Sequence, residues 1–174
     1  MKQYPINFSL YFCLLLAVAF TSCTQSSKGR PSPPPAAISS SAQVVKVTAA
    51  PVNLSQSSAG DAVIALSISP GFHINANPAT FPYLIATEVT ANKLEGINIG
   101  APVYPAAVKR KFQFAEQPLA VYEGEASIKL NLRAEANAAT GRKSLPINVR
   151  VQACDEEQCF PPATINTTIP VTLQ

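Results

Sequence analysis

Apolar and polar residues alternate with a period of two through much of the chain after residue 43. The positions on one face of this pattern, apolar except for Thr167, are Ile64, Leu66 and Ile68; Ile128, Leu130 and Leu132; Leu145, Ile147, Val149, Val151 and Ala153; and Ile165, Thr167, Ile169, Val171 and Leu173. Successive side chains of a strand point to opposite faces of a sheet, so the pattern predicts half-buried antiparallel strands.

Shorter apolar segments predict three further strands, at residues 44–48, 83–89 and 119–122. Turn-forming residues separate the predicted strands, at Ser69-Pro70-Gly71, Glu95-Gly96, Glu123-Gly124 and Thr140-Gly141. Residues 134–140 would tolerate a helix but lie between two strands, so we expect a loop or a single turn there. About seven short strands at this spacing predict an all-β fold, an immunoglobulin-like β-sandwich.

The composition agrees with a β-rich fold. Charged residues make up only 13% of the 174 residues, and there are 16 prolines. Proline removes a backbone donor and helical bundles need charged outer faces, so a bundle is disfavoured. The net charge is +3, and the one basic cluster is Lys109-Arg110-Lys111. Without an extended basic stripe we expect no nucleic-acid partner.

Residues 1–22 have the features of a lipoprotein signal peptide. Lys2 supplies a positive charge, and residues 8–20 form an apolar run that is too short to span a bilayer comfortably. The segment Phe20-Thr21-Ser22-Cys23 resembles a bacterial lipobox, so we expect Cys23 to be lipidated and to become the new N-terminus. The alternative is an ordinary secretory signal. In either case Cys13 would be removed with the signal.

Residues 23–42 are mainly Ser, Pro and Ala and have almost nothing to bury. Such a segment cannot offset the entropy lost on ordering, so we expect a disordered tether between the lipid and a folded domain at residues 43–174. The expected location is the bacterial cell envelope, with the protein anchored to a bilayer and facing the periplasm or the exterior.

Cys154 and Cys159 are the two cysteines of the predicted domain, and four polar residues separate them. Export favours a disulfide between them. A ring of this size contributes only about 2 kcal/mol through loop entropy. The disulfide of an immunoglobulin domain instead joins distant strands. This pair is therefore poorly placed to link the two halves of a core. We expect the strand that ends at Ala153 and the strand that starts near Thr164 to be neighbours, which places the pair at the base of one hairpin or loop, in a polar and exposed position.

Three interpretations of this pair remain open on chemical grounds: a structural hairpin disulfide, a redox-active dithiol and a metal site. An exposed bridge is accessible to an incoming thiolate, which exchange requires. A metal site has the least support, because Cys154, Cys159 and His73 do not complete a set of four ligands. We expect neither a metal nor a cofactor. His73 taken alone is typical of a surface or hydrogen-bonded strand residue.

Three segments together resemble a known family. They are Pro-Gly-Phe-His-Ile-Asn-Ala-Asn-Pro at residues 70–78, Tyr-Leu-Ile at residues 83–85, and Gln-Ala-Cys-Asp-Glu-Glu-Gln-Cys-Phe-Pro-Pro at residues 152–162. Over roughly residues 43–174 the chain resembles the periplasmic N-terminal domain of the thiol:disulfide interchange protein DsbD. The most specific element is the cysteine pair followed by Phe-Pro-Pro. The resemblance implies an immunoglobulin-like fold and thiol-disulfide exchange with thioredoxin-fold partners.

The resemblance also implies roles for individual residues. Cys154 and Cys159 would be the redox pair, with Cys159 bonding the partner and Cys154 resolving the mixed disulfide. Phe72 and His73 occupy positions where relatives often carry aromatic residues beside the active site. Relatives shield their cysteines with an aromatic residue of a cap loop, and the expected counterpart is Phe112 or Phe114. The alternative is that both of these residues simply pack into one core.

This sequence departs from the best-known family members in three ways. It has four residues between the cysteines where they have five, and a basic cluster at residues 109–111 where their cap is acidic. It also lacks the transmembrane and C-terminal thioredoxin domains of full-length DsbD, so we expect a separate transmembrane electron donor. The leading hypothesis is an exported thiol:disulfide oxidoreductase. The competing hypothesis is a non-catalytic, immunoglobulin-like binding lipoprotein with a structural hairpin disulfide.

Overall fold

A computed structural model of the protein describes residues 38–174. The predicted signal peptide, the lipidation site Cys23 and most of the predicted linker lie outside the described residues. Within residues 38–174 there is no helix that is long and apolar enough to cross a membrane.

Twelve strands and one short 3-10 helix, Ser41–Gln43, are found in the described part of the chain. The strands are β1 (Val45–Ala49), β2 (Val52–Leu54), β3 (Ala59–Ile68), β4 (His73–Asn75), β5 (Glu88–Ala91), β6 (Ile97–Val103), β7 (Val108–Arg110), β8 (Leu119–Tyr122), β9 (Glu125–Ala134), β10 (Gly141–Val151), β11 (Ala153–Cys154) and β12 (Ala163–Leu173).

The strands form three sheets of four strands each in residues 38–174. The first sheet has the order β1-β3-β9-β6 and the second has the order β2-β12-β10-β5. Buried residues of these two sheets form one hydrophobic core, which makes them the two layers of a sandwich. The third sheet, β11-β4-β8-β7, is smaller and carries the cysteine pair. The predicted all-β, immunoglobulin-like fold is confirmed.

The long strands follow the alternation of the sequence. In the first sheet Ile64 is paired with Ile128, and both are completely buried. In the second sheet Leu145 is paired with Ile169, and these are completely buried as well. Ala134 ends β9, and residues 135–140 form a loop with a turn and no helix, as predicted.

The predicted strand at residues 83–89 is wrong over most of its length, because β5 begins at Glu88 and residues 83–87 form a loop. Polar side chains, rather than a neighbouring strand, form hydrogen bonds with the backbone of this loop. The Ile85 N–H donates to Gln152 Oε1 at 3.3 Å, and the Ile85 carbonyl accepts from Asn75 Nδ2 at 3.1 Å. The apolar segment therefore has its backbone bonds satisfied without joining a sheet.

The alternation from residue 145 to residue 153 predicts one continuous strand, but the structure has two strands in different sheets over this range. β10 ends at Val151 in the second sheet, and β11 pairs with β4 in the third sheet. Gln152 lies between the two strands and is half-buried. This switch delivers Cys154 to the third sheet and away from the sandwich.

Ser41, which precedes the expected start of the domain at residue 43, contacts the cysteine segment. Ser41 is completely buried, and its hydroxyl donates to the Pro161 carbonyl at 2.7 Å. The Ala153 N–H in turn donates to the Ser41 hydroxyl at 2.9 Å. Composition alone placed Ser41 in the tether because serine contributes little apolar surface, yet here it satisfies two backbone groups beside the cysteine pair.

Candidate functional site

Cys154 and Cys159 form a disulfide with their Cα atoms 3.9 Å apart. The two residues face each other in an isolated antiparallel bridge. The Phe160 N–H donates to the Ala153 carbonyl at 2.8 Å and so continues this short ladder. The pair therefore closes a miniature hairpin, in agreement with the position expected from the sequence.

The four residues between the cysteines form a compact turn organised by Asp155. Its N–H donates to the Gln158 carbonyl at 2.9 Å. Its carboxylate Oδ1 accepts from the N–H groups of Glu157 and Gln158, both at 2.8 Å. This is the side-chain-to-backbone pattern by which aspartate stabilises turns. It accounts for a tight closure with only four intervening residues.

The two cysteines differ in burial. Cys154 is completely buried, whereas Cys159 is partly exposed. The expectation of an exposed bridge is therefore wrong for Cys154. The polar residues Glu156, Glu157 and Gln158 are exposed as expected, but they belong to the tip of the turn. Cys154 belongs to β11, the strand that precedes the turn, and both residues of this strand are buried.

His73 lies directly opposite Cys154 in the antiparallel ladder between β4 and β11. Side chains of such a pair project from the same face of the sheet, with Cβ atoms roughly 4.5–5.5 Å apart. His73 is only 2% exposed, and its Nε2 has no hydrogen-bond partner among the described residues. The predicted neighbour of the disulfide is thus a buried histidine on the strand next to Cys154.

Burial lowers the pKa of His73 below its ordinary value of 6.5, because the charged imidazolium loses its hydration. The carboxylates of Glu123 and Asp155 act in the opposite direction by favouring the charged form. Burial is the larger effect, so the ring is neutral at neutral pH.

The segment between β7 and β8, residues 111–118, covers His73 with an aromatic ring. Phe112 stacks on the imidazole with ring centroids 3.9 Å apart and planes 14° apart. Phe112 is buried in a small cluster with Leu119 and Val121 that is separate from the sandwich core. Phe114 stacks on Phe112 at 5.5 Å but is 41% exposed. The two phenylalanines therefore do not share the main core.

Two residues of the basic cluster have specific partners at the ends of this segment. Arg110 forms an ion pair with Glu123, with Nη2 to Oε2 at 2.8 Å and Nε 3.0 Å from each carboxylate oxygen. Lys111 Nζ donates to the Ala115 carbonyl at 2.6 Å and also to the Glu116 carbonyl. Glu123, which lies in the turn between β8 and β9, is therefore both the partner of Arg110 and one of the two carboxylates that favour the charged form of His73.

The Phe-Pro-Pro sequence after Cys159 anchors the second arm of the hairpin. Phe160 is buried and lies against Phe72, with ring centroids 5.8 Å apart and planes inclined by 56°. The Pro161 carbonyl accepts from Ser41 twice, from its N–H at 3.1 Å and from its hydroxyl at 2.7 Å. Cys159 is therefore followed by a firmly held segment.

Three polar residues that support the site were not predicted to do so: Ser41, Asn75 and Gln152. Asn75 is completely buried, and its Nδ2 donates to the Ile85 carbonyl and lies 3.4 Å from Gln152 Oε1. Gln152 Nε2 is 3.4 Å from the Phe160 carbonyl. Asn75 and Gln152 belong to the segments that resemble the family, and this resemblance could have identified them as site residues. No feature of the sequence identifies Ser41 in this way.

A cleft of about 410 Å³ opens beside the hairpin. Its lining includes Phe72, His73, Arg110, Glu123 and Glu156. Within residues 38–174, no three His, Cys, Asp or Glu side chains are grouped so that they could hold a metal ion.

Comparison with known proteins identifies a family that matches most of the chain. The family described as thiol:disulfide interchange protein DsbD, N-terminal, matches residues 41–170. A search among curated proteins finds no match. Similar solved structures include the reduced N-terminal domain of DsbD from Neisseria meningitidis, with 15% identity, a TM-score of 0.45, and coverage of 67% of this chain and 82% of that one.

Another similar structure is the N-terminal periplasmic domain of ScsB from Proteus mirabilis. It has 12% identity and a TM-score of 0.43, and the alignment covers 74% of this chain but only 45% of that one. The family assignment rests on the match over residues 41–170, which spans most of the sequence and includes both cysteines of the disulfide. The chain therefore belongs to the family of DsbD N-terminal domains.

Proposed function

We propose that this protein is an exported thiol-disulfide exchange module that passes reducing equivalents to or from thioredoxin-fold proteins through Cys154 and Cys159. Family membership and the disulfide between these residues support the proposal. The observation that carries it is the unequal burial of the two cysteines. A disulfide with one partly exposed cysteine offers an incoming thiolate one favoured side for attack.

In the reducing direction, a partner thiolate attacks Sγ of Cys159. A bond forms between the partner and Cys159, the Cys154–Cys159 bond breaks, and Cys154 leaves as a thiolate that takes up a proton. The second thiol of the partner then loses its proton and attacks the partner's first sulfur. This step releases Cys159 as a thiol and leaves the partner oxidised, so two electrons and two protons have moved. The oxidising direction is the reverse sequence.

The surroundings of the pair favour a controlled reaction. We propose that Phe112, His73 and Phe72 shield Cys154 from small oxidants and reductants, as an aromatic cap would. The cleft lined by His73 and Arg110 provides an approach to this end of the molecule. Phe114, which is exposed on the outer side of Phe112, would contact a docked partner.

We further propose that the protein acts in the cell envelope, held to a bilayer by a lipid on Cys23. A separate transmembrane electron donor would then supply the reducing equivalents. The lipobox-like residues 20–23 and the Ser/Pro-rich linker support this arrangement.

One observation favours the competing hypothesis, a non-catalytic binding domain with a structural disulfide. Cys154 is completely buried, and burial slows exchange. In this interpretation the hairpin disulfide would only brace the third sheet.

Trapping distinguishes the two hypotheses. All variants would carry Cys13→Ser and Cys23→Ser so that the pair alone reacts. Cys154→Ala leaves Cys159 free to hold a partner, and Cys159→Ala is the matched control. Each is mixed with a purified thioredoxin that keeps only one active-site cysteine, activated as a mixed disulfide with nitrothiobenzoate, so that Cys159 displaces nitrothiobenzoate and no second thiol reverses the adduct. We expect a dithiothreitol-sensitive adduct with Cys154→Ala and far less with Cys159→Ala. Absence of an adduct in both would favour the binding domain.

A further inference from the structure

The exchange reaction requires Cys154 to gain and lose a proton while it is buried. Cys154 is completely buried, so water has no direct access to its sulfur. A thiol in apolar surroundings ionises reluctantly. The buried polar side chains of residues 38–174 are Ser41, His73, Asn75 and Thr87. Among these only His73 changes its protonation state near neutral pH.

The position of His73 matches this requirement. It is the cross-strand partner of Cys154, on the same face of the third sheet. Its Nε2 is buried and has no hydrogen-bond partner among the described residues, although buried nitrogens are almost always paired. Phe112 covers one face of the ring and excludes other groups there. An unpaired ring nitrogen on the residue directly opposite a buried cysteine is free to accept or deliver a proton.

We propose that His73 is the proton carrier for Cys154 during exchange, an inference that rests on the proposed function. In the reducing direction, neutral His73 takes the proton of the attacking partner thiol. The S–S bond breaks, and the imidazolium gives this proton to the departing Cys154 thiolate. In the oxidising direction, neutral His73 takes the Cys154 proton as Cys154 attacks the mixed disulfide, and the proton passes to the departing partner thiolate. His73 ends each cycle neutral.

The charged groups around His73 suit a transient imidazolium. Glu123 and Asp155 both favour the charged ring, from the β8–β9 turn and from the hairpin turn respectively. Arg110, on β7, is paired with Glu123. Lys111 is bonded to backbone carbonyls of the segment that carries Phe112, and Glu156 lines the same cleft as His73. Burial keeps the ring neutral at rest, and the carboxylates stabilise the charge when it forms.

The test measures the resolving step alone, in the full-length chain with Cys13→Ser and Cys23→Ser. Reduced protein reacts with 5,5′-dithiobis-(2-nitrobenzoate), which first forms a mixed disulfide. Attack by the second cysteine then releases a second nitrothiobenzoate. His73→Phe keeps a ring for Phe112 to stack on but removes both nitrogens. We expect release to slow about 100-fold at pH 7, the lower end for a positioned general base.

The pH profile separates a proton carrier from a packing residue. The difference between wild type and His73→Phe should shrink at alkaline pH, where the Cys154 thiol ionises without help. A rate unchanged at pH 7, or a loss of equal size at every pH, would overturn the proposal.

A second measurement needs no variant of His73 and so does not depend on its folding. The chain contains a single histidine, whose ring resonance can be followed by NMR against pH. In the reduced protein we expect an additional alkaline inflection from Cys154 ionisation, absent in the oxidised protein and in Cys154→Ala. No such inflection would contradict the proposal. If wild type releases no second nitrothiobenzoate, the exchange function fails. If it does, and His73→Phe matches it, only the role of His73 fails.

Discussion

Cys154 is completely buried, whereas Cys159, to which it is bonded, keeps part of its surface exposed. The asymmetry arises from the chain path. β11 brings Cys154 into the third sheet beside His73, while Cys159 follows the exposed tip of an aspartate-organised turn. One disulfide thus joins a buried cysteine and a partly exposed cysteine, and the proposed roles of resolving and partner-bonding cysteine agree with this difference.

In the reduced protein, iodoacetamide should modify Cys159 several times faster than Cys154, because only Cys159 is partly exposed. Mass spectrometry of peptides after timed alkylation measures the two rates, in a chain that carries Cys13→Ser and Cys23→Ser. Unfolding in guanidinium is the control and should make the rates similar. Faster modification of Cys154 in the folded protein would contradict the assigned roles.

Phe112→Ala should speed reduction of the disulfide by dithiothreitol, because it removes the ring that covers His73. It should also lower the free energy of unfolding by about 3 kcal/mol, the low end for a buried phenylalanine. Phe114→Ala is the matched control, since Phe114 is 41% exposed. Its effect on stability should be about 1 kcal/mol or less. Equal reduction rates for Phe112→Ala and wild type would show that Phe112 does not protect the pair.

Ser41→Ala should destabilise the fold by about 1–3 kcal/mol, because the buried Ala153 N–H loses its only side-chain acceptor. Urea unfolding measures the change. Ser39→Ala is the control: Ser39 is exposed, and its effect should stay within about 0.5 kcal/mol. An unchanged midpoint for Ser41→Ala would mean that the residue does not anchor the cysteine segment.

The stability of the fold should fall as the pH drops from 7 through 6.5, the ordinary pKa of histidine. The folded-state pKa of His73 is lowered, so below 6.5 the unfolded chain binds a proton that the native protein does not. The contribution of neutral His73 to the free energy of unfolding is fully present above pH 6.5. It is lost progressively as the pH falls from 6.5 to the lowered pKa of the folded state. Unfolding between pH 5.5 and 7.5 measures the slope, and His73→Phe should flatten it. The same slope in both proteins would contradict a buried neutral His73.

The sandwich could be predicted because its long strands bury one face. Ile128, Leu130 and Leu132 on β9 alternate with exposed Lys129, Asn131 and Arg133, which the sequence displays directly. The third sheet left no such signal. Its strand β4 is buried at all three residues, His73, Ile74 and Asn75, two of which are polar. A short strand covered on both faces shows neither alternation nor a purely apolar run.

The cysteine pair could be placed at the base of a hairpin, but its burial could not be predicted. Four polar residues separate Cys154 and Cys159, and polar composition favours exposure. In the structure Glu156, Glu157 and Gln158 are exposed, whereas Cys154 is buried where β11 pairs with β4. Ser41 illustrates the same limit, because its partners Ala153 and Pro161 lie more than a hundred residues away in the sequence. Long-range contacts of this kind leave no local pattern.

The reduction potential of the Cys154–Cys159 disulfide tests the central claim most directly. The protein is equilibrated with glutathione or dithiothreitol buffers of known potential, and the oxidised fraction is determined by alkylation and mass spectrometry. An exchange module should have a potential above about −300 mV, in the range of roughly −270 to −120 mV spanned by thioredoxin-fold carriers. A potential well below about −300 mV is typical of structural disulfides and would contradict the proposed function.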